Sequence, residues 1–236
     1  MTKPHPSTNP RSPYAMRKVR PVVRSFRATF KKNAIAWVRS GGHAIVWESA
    51  RKAWLVVPKP AANHPEDYGK WAAYDLGRRL LRVAKAGPFK GFGVVSLSGT
   101  DLPIVEAWGI RDSVHAEPTR EMVLDCVACG ACCKNNNVVL DAADMKRLRS
   151  GAPKTFVDRV KRKDGRLVLT LLKDGRCAAL TKQGMCGVYE YRPEACREFP
   201  AATECCLFAR EEGLGLLDGA KKGPSLYGLS EFAEDR

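Results

Sequence analysis

Nine cysteines fall between Cys126 and Cys206, and none lies elsewhere in the 236-residue chain. The first four form the run Cys126-Val-Ala-Cys129-Gly130-Ala-Cys132-Cys133, directly after Asp125. A two-residue gap lets both thiolates of a CxxC turn reach one metal ion. Gly130 permits the positive φ that such a turn often needs. Neighbouring side chains tend to point apart, so Cys132 and Cys133 serve either different metals or different corners of one cluster. Cys177, Cys186, Cys196 and the pair Cys205-Cys206 follow, which leaves four cysteines at each end of this half of the chain and one to spare.

Residues 126–236 contain no histidine. A mixed Cys/His site would have to borrow one, most readily His115, and an all-thiolate site is the simpler reading. Soft sulfur ligands select zinc, copper(I) or iron–sulfur clusters over magnesium and calcium. The overlapping CxxC units are similar to bacterial ferredoxin segments, although the fourth ferredoxin cysteine, three residues further on and before a proline, is missing. Eight thiolates around two zinc ions or two oxidised four-iron clusters leave a charge of about −4. Arg192, Arg197 and Arg210 stand beside ligand positions and can compensate that charge. The alternative for these arginines is ordinary pairing with Glu190, Glu194 or Glu198.

The run Cys126–Cys133, together with Cys177 and Cys186-x-x-Tyr189-x-x-Arg192-Pro193-x-x-Cys196-Arg197-x-Phe199, resembles the YkgJ-like cysteine cluster family of zinc- or iron-chelating domains. It is also similar to the cysteine-rich part of flagellin lysine N-methylases. The matching stretch covers about residues 122–217. The resemblance implies metal binding through eight shared cysteines. Cys206-Leu-Phe-Ala209-Arg210 before Gly213-Leu214 fits the family's register. It therefore implies Cys126, Cys129, Cys132, Cys133, Cys177, Cys186, Cys196 and Cys206 as ligands, and Cys205 as the spare.

The elements that must position these residues read as α+β: an N-terminal mixed α/β region plus a small, irregular, metal-stapled cysteine-rich domain. Asp141 suits the N-cap of a short helix ending at Gly151. Arg166–Leu172 alternates as a strand, and the turns Lys173-Asp174-Gly175 and Lys182-Gln-Gly184 deliver Cys177 and Cys186. Upstream, residues 1–21 read as a basic disordered arm. Val22 to Val38 falls near helical spacing, with Gly41-Gly42 as its stop. His43–Trp47 and Ala53–Val57 read as strands, and Glu66–Ala86 as a helix with Trp71 on its apolar face. Val94–Leu97 and Pro103–Trp108 read as a hairpin. The expected boundaries are an arm over 1–21, an α+β region of unknown role over 22–120, the cysteine cluster over 121–217 and a tail over 218–236. His43, His64 and His115 are isolated, and no catalytic residue is assigned.

Composition limits the classes. The hydrophobic share of 44% and mean hydropathy of −0.30 indicate a globular chain. No apolar stretch is long enough to span a membrane. No secretory signal precedes the domain, so a reducing, cytoplasmic setting is expected, in which clustered cysteines act as ligands rather than disulfides. The net charge of +15 is concentrated upstream of the cysteines: residues 1–125 carry 21 basic and 10 acidic side chains. That basic part leaves nucleic acid, an anionic membrane surface or a protein partner as docking classes, with Trp37, Trp47, Trp54 and Trp71 as stacking candidates, and a targeting segment as a further alternative. The leading reading is a metal-binding protein holding zinc or an iron–sulfur cluster, with a redox or electron-transfer (oxidoreductase) role on the iron branch and a redox partner. The alternative is a structural zinc module on a nucleic-acid- or partner-binding basic protein.

Overall fold

The computed structural model describes residues 12–59, 82–134, 138–197, 199 and 201–218. The chain has both helices and sheets and divides into two compact units, Val19–Glu121 with Leu217 onward, and Met122–Leu216 with the residues up to Lys18. Strand β1 (Ala15–Pro21) pairs with β7 (Thr119–Asp125). Residues 15–21 are thus extended and paired where the sequence suggests a disordered arm. Residues 1–11, Trp71, His64 and residues 219–236 lie outside the described residues, as does most of the expected helix over 66–86.

In the first unit, β2 (Val23–Arg27), α1 (Lys31–Arg39) and β3 (His43–Ser49) form a crossover, and β2 and β3 pair in parallel from Val23↔His43 to Arg27↔Trp47. The expected helix over 22–38 is therefore correct only from Lys31. Its first half is a strand, because Val23 is buried as a sheet residue and a parallel partner 20 positions away outweighs local periodicity. Strands β4 (Lys52–Val57), β5 (Arg82–Val83) and β6 (Gly93–Leu97) complete the order β2-β3-β4-β6-β5 among the described residues. Val83, expected to be helical, belongs to β5.

Helix α2 (Asp101–Asp112) replaces the second strand of the expected hairpin. Pro103 sits in its first turn, where a missing N–H costs nothing. Leu102, Val105 and Trp108 recur at helical spacing and are buried against Val23, Ile45, Leu55 and Leu97. Ala34 and Val38 of α1 pack with Ala44, Val46 and Val56. Successive strand residues thus supply two cores, which explains the near-continuous apolar run of β3. Trp37 donates from Nε1 to the Val22 carbonyl at 3.0 Å, with the Arg24 guanidinium 4.0 Å from its ring centre. Trp47 and Trp54 pack against the two cores. These tryptophans serve the fold of the basic unit.

A buried charge network closes this unit. Arg20 donates from Nη1 and Nη2 to Asp112 at 3.0 and 2.6 Å, and the Val23 amide donates to the same carboxylate at 2.8 Å. His43 is buried beside it. Burial, then the Arg20 charge, lowers its pKa from 6.5 to about 3 against the opposing pull of Asp112. The folded unit therefore holds His43 neutral while an unfolded chain protonates it below 6.5. Between 6.5 and about 3 the unfolded state binds more protons, so this contribution is complete above 6.5 and is lost as pH falls. The urea midpoint read by tryptophan fluorescence is expected to fall across that window. In His43→Gln the slope should be smaller, leaving the part due to His115, whose pKa burial also lowers.

The second unit is smaller in its regular structure. Helix α3 (Cys126–Cys129) follows β7, and β8 (Val138–Leu140), α4 (Ala142–Gly151), α5 (Lys154–Val157), β9 (Val160–Lys163) and β10 (Arg166–Leu169) lead to α6 (Glu194–Arg197) and α7 (Glu204–Leu214). The strands order as β8-β10-β9. Helix α4 begins on the expected N-cap: Asp141 accepts from the Asp144 amide and Asp144 accepts from the Asp141 amide, a closed capping box. Between β10 and α7 the backbone is mostly turns, and that stretch carries three of the cysteines. Among the described residues no helix is long and apolar enough to cross a membrane.

Candidate metal centre

The cysteine run folds as two short helical turns joined at a glycine. Asp125 ends β7 and caps α3, accepting from the amides of Val127 at 3.0 Å and Ala128 at 3.2 Å. This holds Cys126 and Cys129 three residues apart on one turn, the spacing that brings side chains together. Gly130 then takes φ 58° and starts the 3-10 turn Ala131–Cys133. A Cβ at Gly130 would stand 2.6 Å from the carbonyl oxygen of Gly184, so both the backbone angle and the space demand glycine. Gly130→Ala is expected to destabilise the unit by roughly 2–4 kcal/mol. It should also lower bound metal, checked by urea unfolding and elemental analysis.

The later cysteines are brought to this loop by backbone bonds. The Cys177 amide donates to the Cys133 carbonyl at 2.8 Å, and the Cys186 amide donates to the Val127 carbonyl at 3.0 Å. The two turns read from the sequence deliver them: Gly175 and Gly184 take φ 77° and 81°. Cys196 lies on α6 and Cys206 in the first turn of α7. Lys134 donates from Nζ to the Gly213 carbonyl at 2.8 Å, joining the end of the cysteine run to the end of α7. The eight cysteines expected as ligands thus lie in one unit, all half-buried. The ninth differs: Cys205 Sγ lies 3.1 Å from Thr203 Oγ1.

Burial pushes the thiols of Cys196 and Cys206 up to about 12 and that of Cys177 up to about 11. It also raises Cys126 and Cys186. The hydrogen bond between Cys132 and Cys133 raises the first and lowers the second. A cation that replaces these protons would relieve the burial cost of the thiolates. Two arginines favour the thiolate form. Arg210, 1% exposed, donates from Nη1 to Cys129 Sγ at 3.1 Å. Arg192 acts on Cys126, Cys133, Cys186 and Cys196.

The guanidinium of Arg192 lies 3.7 Å from the centre of the Tyr189 ring, and Tyr14 meets the same ring edge-on at 5.4 Å. Its Nε is buried and, among the described residues, has no hydrogen-bond partner. Arg197 is placed differently. It donates to the carbonyls of Arg192 at 3.2 Å and Glu190 at 2.7 Å, bracing the loop that carries Arg192. Sequence reasoning missed the rest of this brace: Asp144 accepts from the Glu194 amide at 2.8 Å, and Arg147 donates to the Arg192 carbonyl at 3.2 Å. Only its i, i+3 spacing from Asp144 marks Arg147 in the sequence. His115, the histidine nearest the run in sequence, belongs to the other unit, where its Nε2 lies 3.3 Å from Arg120 Nη1.

Among the described residues, no three His, Cys, Asp or Glu side chains stand in an arrangement that could already hold a metal ion. The donor set nevertheless fits one: it is all sulfur, with a buried guanidinium on Cys129 and an unpartnered buried N–H on Arg192. Metal–sulfur bonds of about 2.3 Å would draw the sulfurs inward. Residues 125–217 match the family model CxxCxxCC, described as "Putative zinc- or iron-chelating domain". No curated protein and no solved structure matches the chain.

Proposed function

We propose that residues 125–217 form an all-thiolate iron–sulfur domain that carries electrons, with Cys126, Cys129, Cys132, Cys133, Cys177, Cys186, Cys196 and Cys206 as its ligands. The observation that carries this reading is the 3.1 Å bond from the buried Arg210 guanidinium to Cys129 Sγ. Hydrogen bonds and positive charge at cluster sulfurs are among the levers that set reduction potential. The unpartnered Nε of Arg192 offers a second donor to a sulfur-rich centre. When bound, the cluster supplies one-electron transfer. The chain's own residues hold it and neutralise part of its charge.

The experiment is reductive titration of anaerobically purified full chain. Visible absorption should bleach on reduction and return on oxidation. Arg210→Lys should shift the midpoint potential while leaving the metal content near that of the unaltered chain, because lysine keeps the charge and loses the planar fork. A colourless chain holding zinc, with no redox-dependent absorption, would support the structural zinc module instead. Cys129→Ser is expected to lower bound metal and unfolding stability together. Unchanged metal content in that variant would remove Cys129 from the ligand set.

A further inference from the structure

We infer, resting on the all-thiolate reading above, that the domain holds two separate four-sulfur centres divided at the Cys132–Cys133 peptide bond. Cys126, Cys129, Cys132 and Cys206 serve one, and Cys133, Cys177, Cys186 and Cys196 serve the other.

The first group is defined by α7. This helix packs on the 3-10 turn Ala131–Cys133. Cys206 lies in its first turn and Arg210 one turn later, on the same face. Arg210 reaches Cys129 on α3, so that face of α7 is held against the turn carrying Cys126 and Cys129. Cys206 packs with Met122, Leu124, Ala202 and Leu207. The second group sits on a different core. Cys177, Cys186 and Cys196 all pack against the cluster containing Val138, Leu140, Leu148 and Val188. Cys133 is tied to this group through its carbonyl, which accepts from the Cys177 amide. No buried residue is shared between the two apolar clusters.

The geometry of the 3-10 turn supplies the dividing point. With about three residues per turn, adjacent side chains leave the axis roughly 120° apart. The hydrogen bond between Cys132 and Cys133 crosses the division, and metal binding would replace it; the backbone bond from the Cys186 amide to the Val127 carbonyl also crosses it and engages no thiol. Arg210 lies on the first group, donating to Cys129 Sγ.

The test compares double variants of the full chain by elemental analysis. Cys129→Ser with Cys206→Ser should keep about half of the unaltered chain's metal, and Cys177→Ser with Cys196→Ser should keep the other half. Cys129→Ser with Cys177→Ser should keep almost none. Because such variants can fail to fold, the unaltered chain is also loaded with cobalt(II) under anaerobic reducing conditions. Thiolate-to-cobalt absorption should saturate at about two equivalents, with the spectrum of isolated tetrahedral sites throughout. Uptake beyond that, with the spectral change of bridging thiolates, would overturn the division and indicate one shared cluster. Absence of metal from the purified chain and of cobalt uptake would overturn the thiolate reading itself, a result distinct from failure of the division alone.

Discussion

Stripping the metal from the full chain with a chelator, under reducing anaerobic conditions, is expected to unfold the Met122–Leu216 unit and leave the sheet unit folded. The reason is the size of the cores. Of the cysteine unit's two buried clusters, one is only Met122, Leu124, Ala202 and Leu207 and the other has Cys177, Cys186 and Cys196 packed against it, and the backbone from Leu169 to Thr203 is mostly turns. Such a unit buries too little apolar surface to offset the entropy of ordering it. Structural metal in thiolate sites contributes folding energy directly, on the order of 10 kcal/mol per site. The sheet unit instead has apolar cores on both sheet faces. All five tryptophans lie in residues 19–121 and none in the cysteine unit, so fluorescence reports the sheet unit alone. After chelation the tryptophan spectrum should persist while amide protection over residues 138–216 collapses. Retained protection there would show that metal does not stabilise this unit.

The second large effect lies in the other unit. Asp112→Ala is expected to destabilise it by about 3–5 kcal/mol, because Arg20 would keep its buried charge without the Asp112 carboxylate. Arg20 and Asp112 are 1% and 0% exposed. Burial alone would raise the Asp112 carboxyl, but Arg20 and Arg111 and the hydrogen bonds from Arg20 and Val23 outweigh it and hold the carboxyl below its usual range. That contribution is present above the ordinary carboxylate pKa of 3.8 and is lost as pH falls through the folded value, starting at the acid end of the window in which His43 acts. Urea unfolding followed by tryptophan fluorescence measures the loss. The double change Arg20→Met with Asp112→Leu should recover much of it, since a buried pair replaced by apolar side chains is often neutral. A single-variant loss under 1 kcal/mol would show that the pair is solvated after all.

The site was far more legible than the fold of the basic unit. The two Gly turns and the Asp141 cap are local signals, and each forms where the sequence places it. Arg210 could be read as a sulfur partner because it stands beside the last cysteines. Arg197 stands equally close to Cys196, yet it turns to the carbonyls of Glu190 and Arg192. Sequence distance cannot separate those two outcomes. The helix expected from Val22 failed because Val23–Arg27 finds a parallel partner in His43–Trp47, a pairing with no local signature. Pro103–Trp108 is helical and not extended, with Leu102, Val105 and Trp108 at helical spacing on its buried face. The sorting of Cys132 from Cys133 needed the position of α7, which only tertiary packing provides.

The most direct measurement is metal and acid-labile sulfide per chain in anaerobically purified full-length protein. Iron with labile sulfide is expected, the two falling together to about half when Cys129 or Cys177 is changed to serine. A folded chain containing neither iron nor zinc would contradict the thiolate centre, and zinc without sulfide would contradict the electron-transfer role.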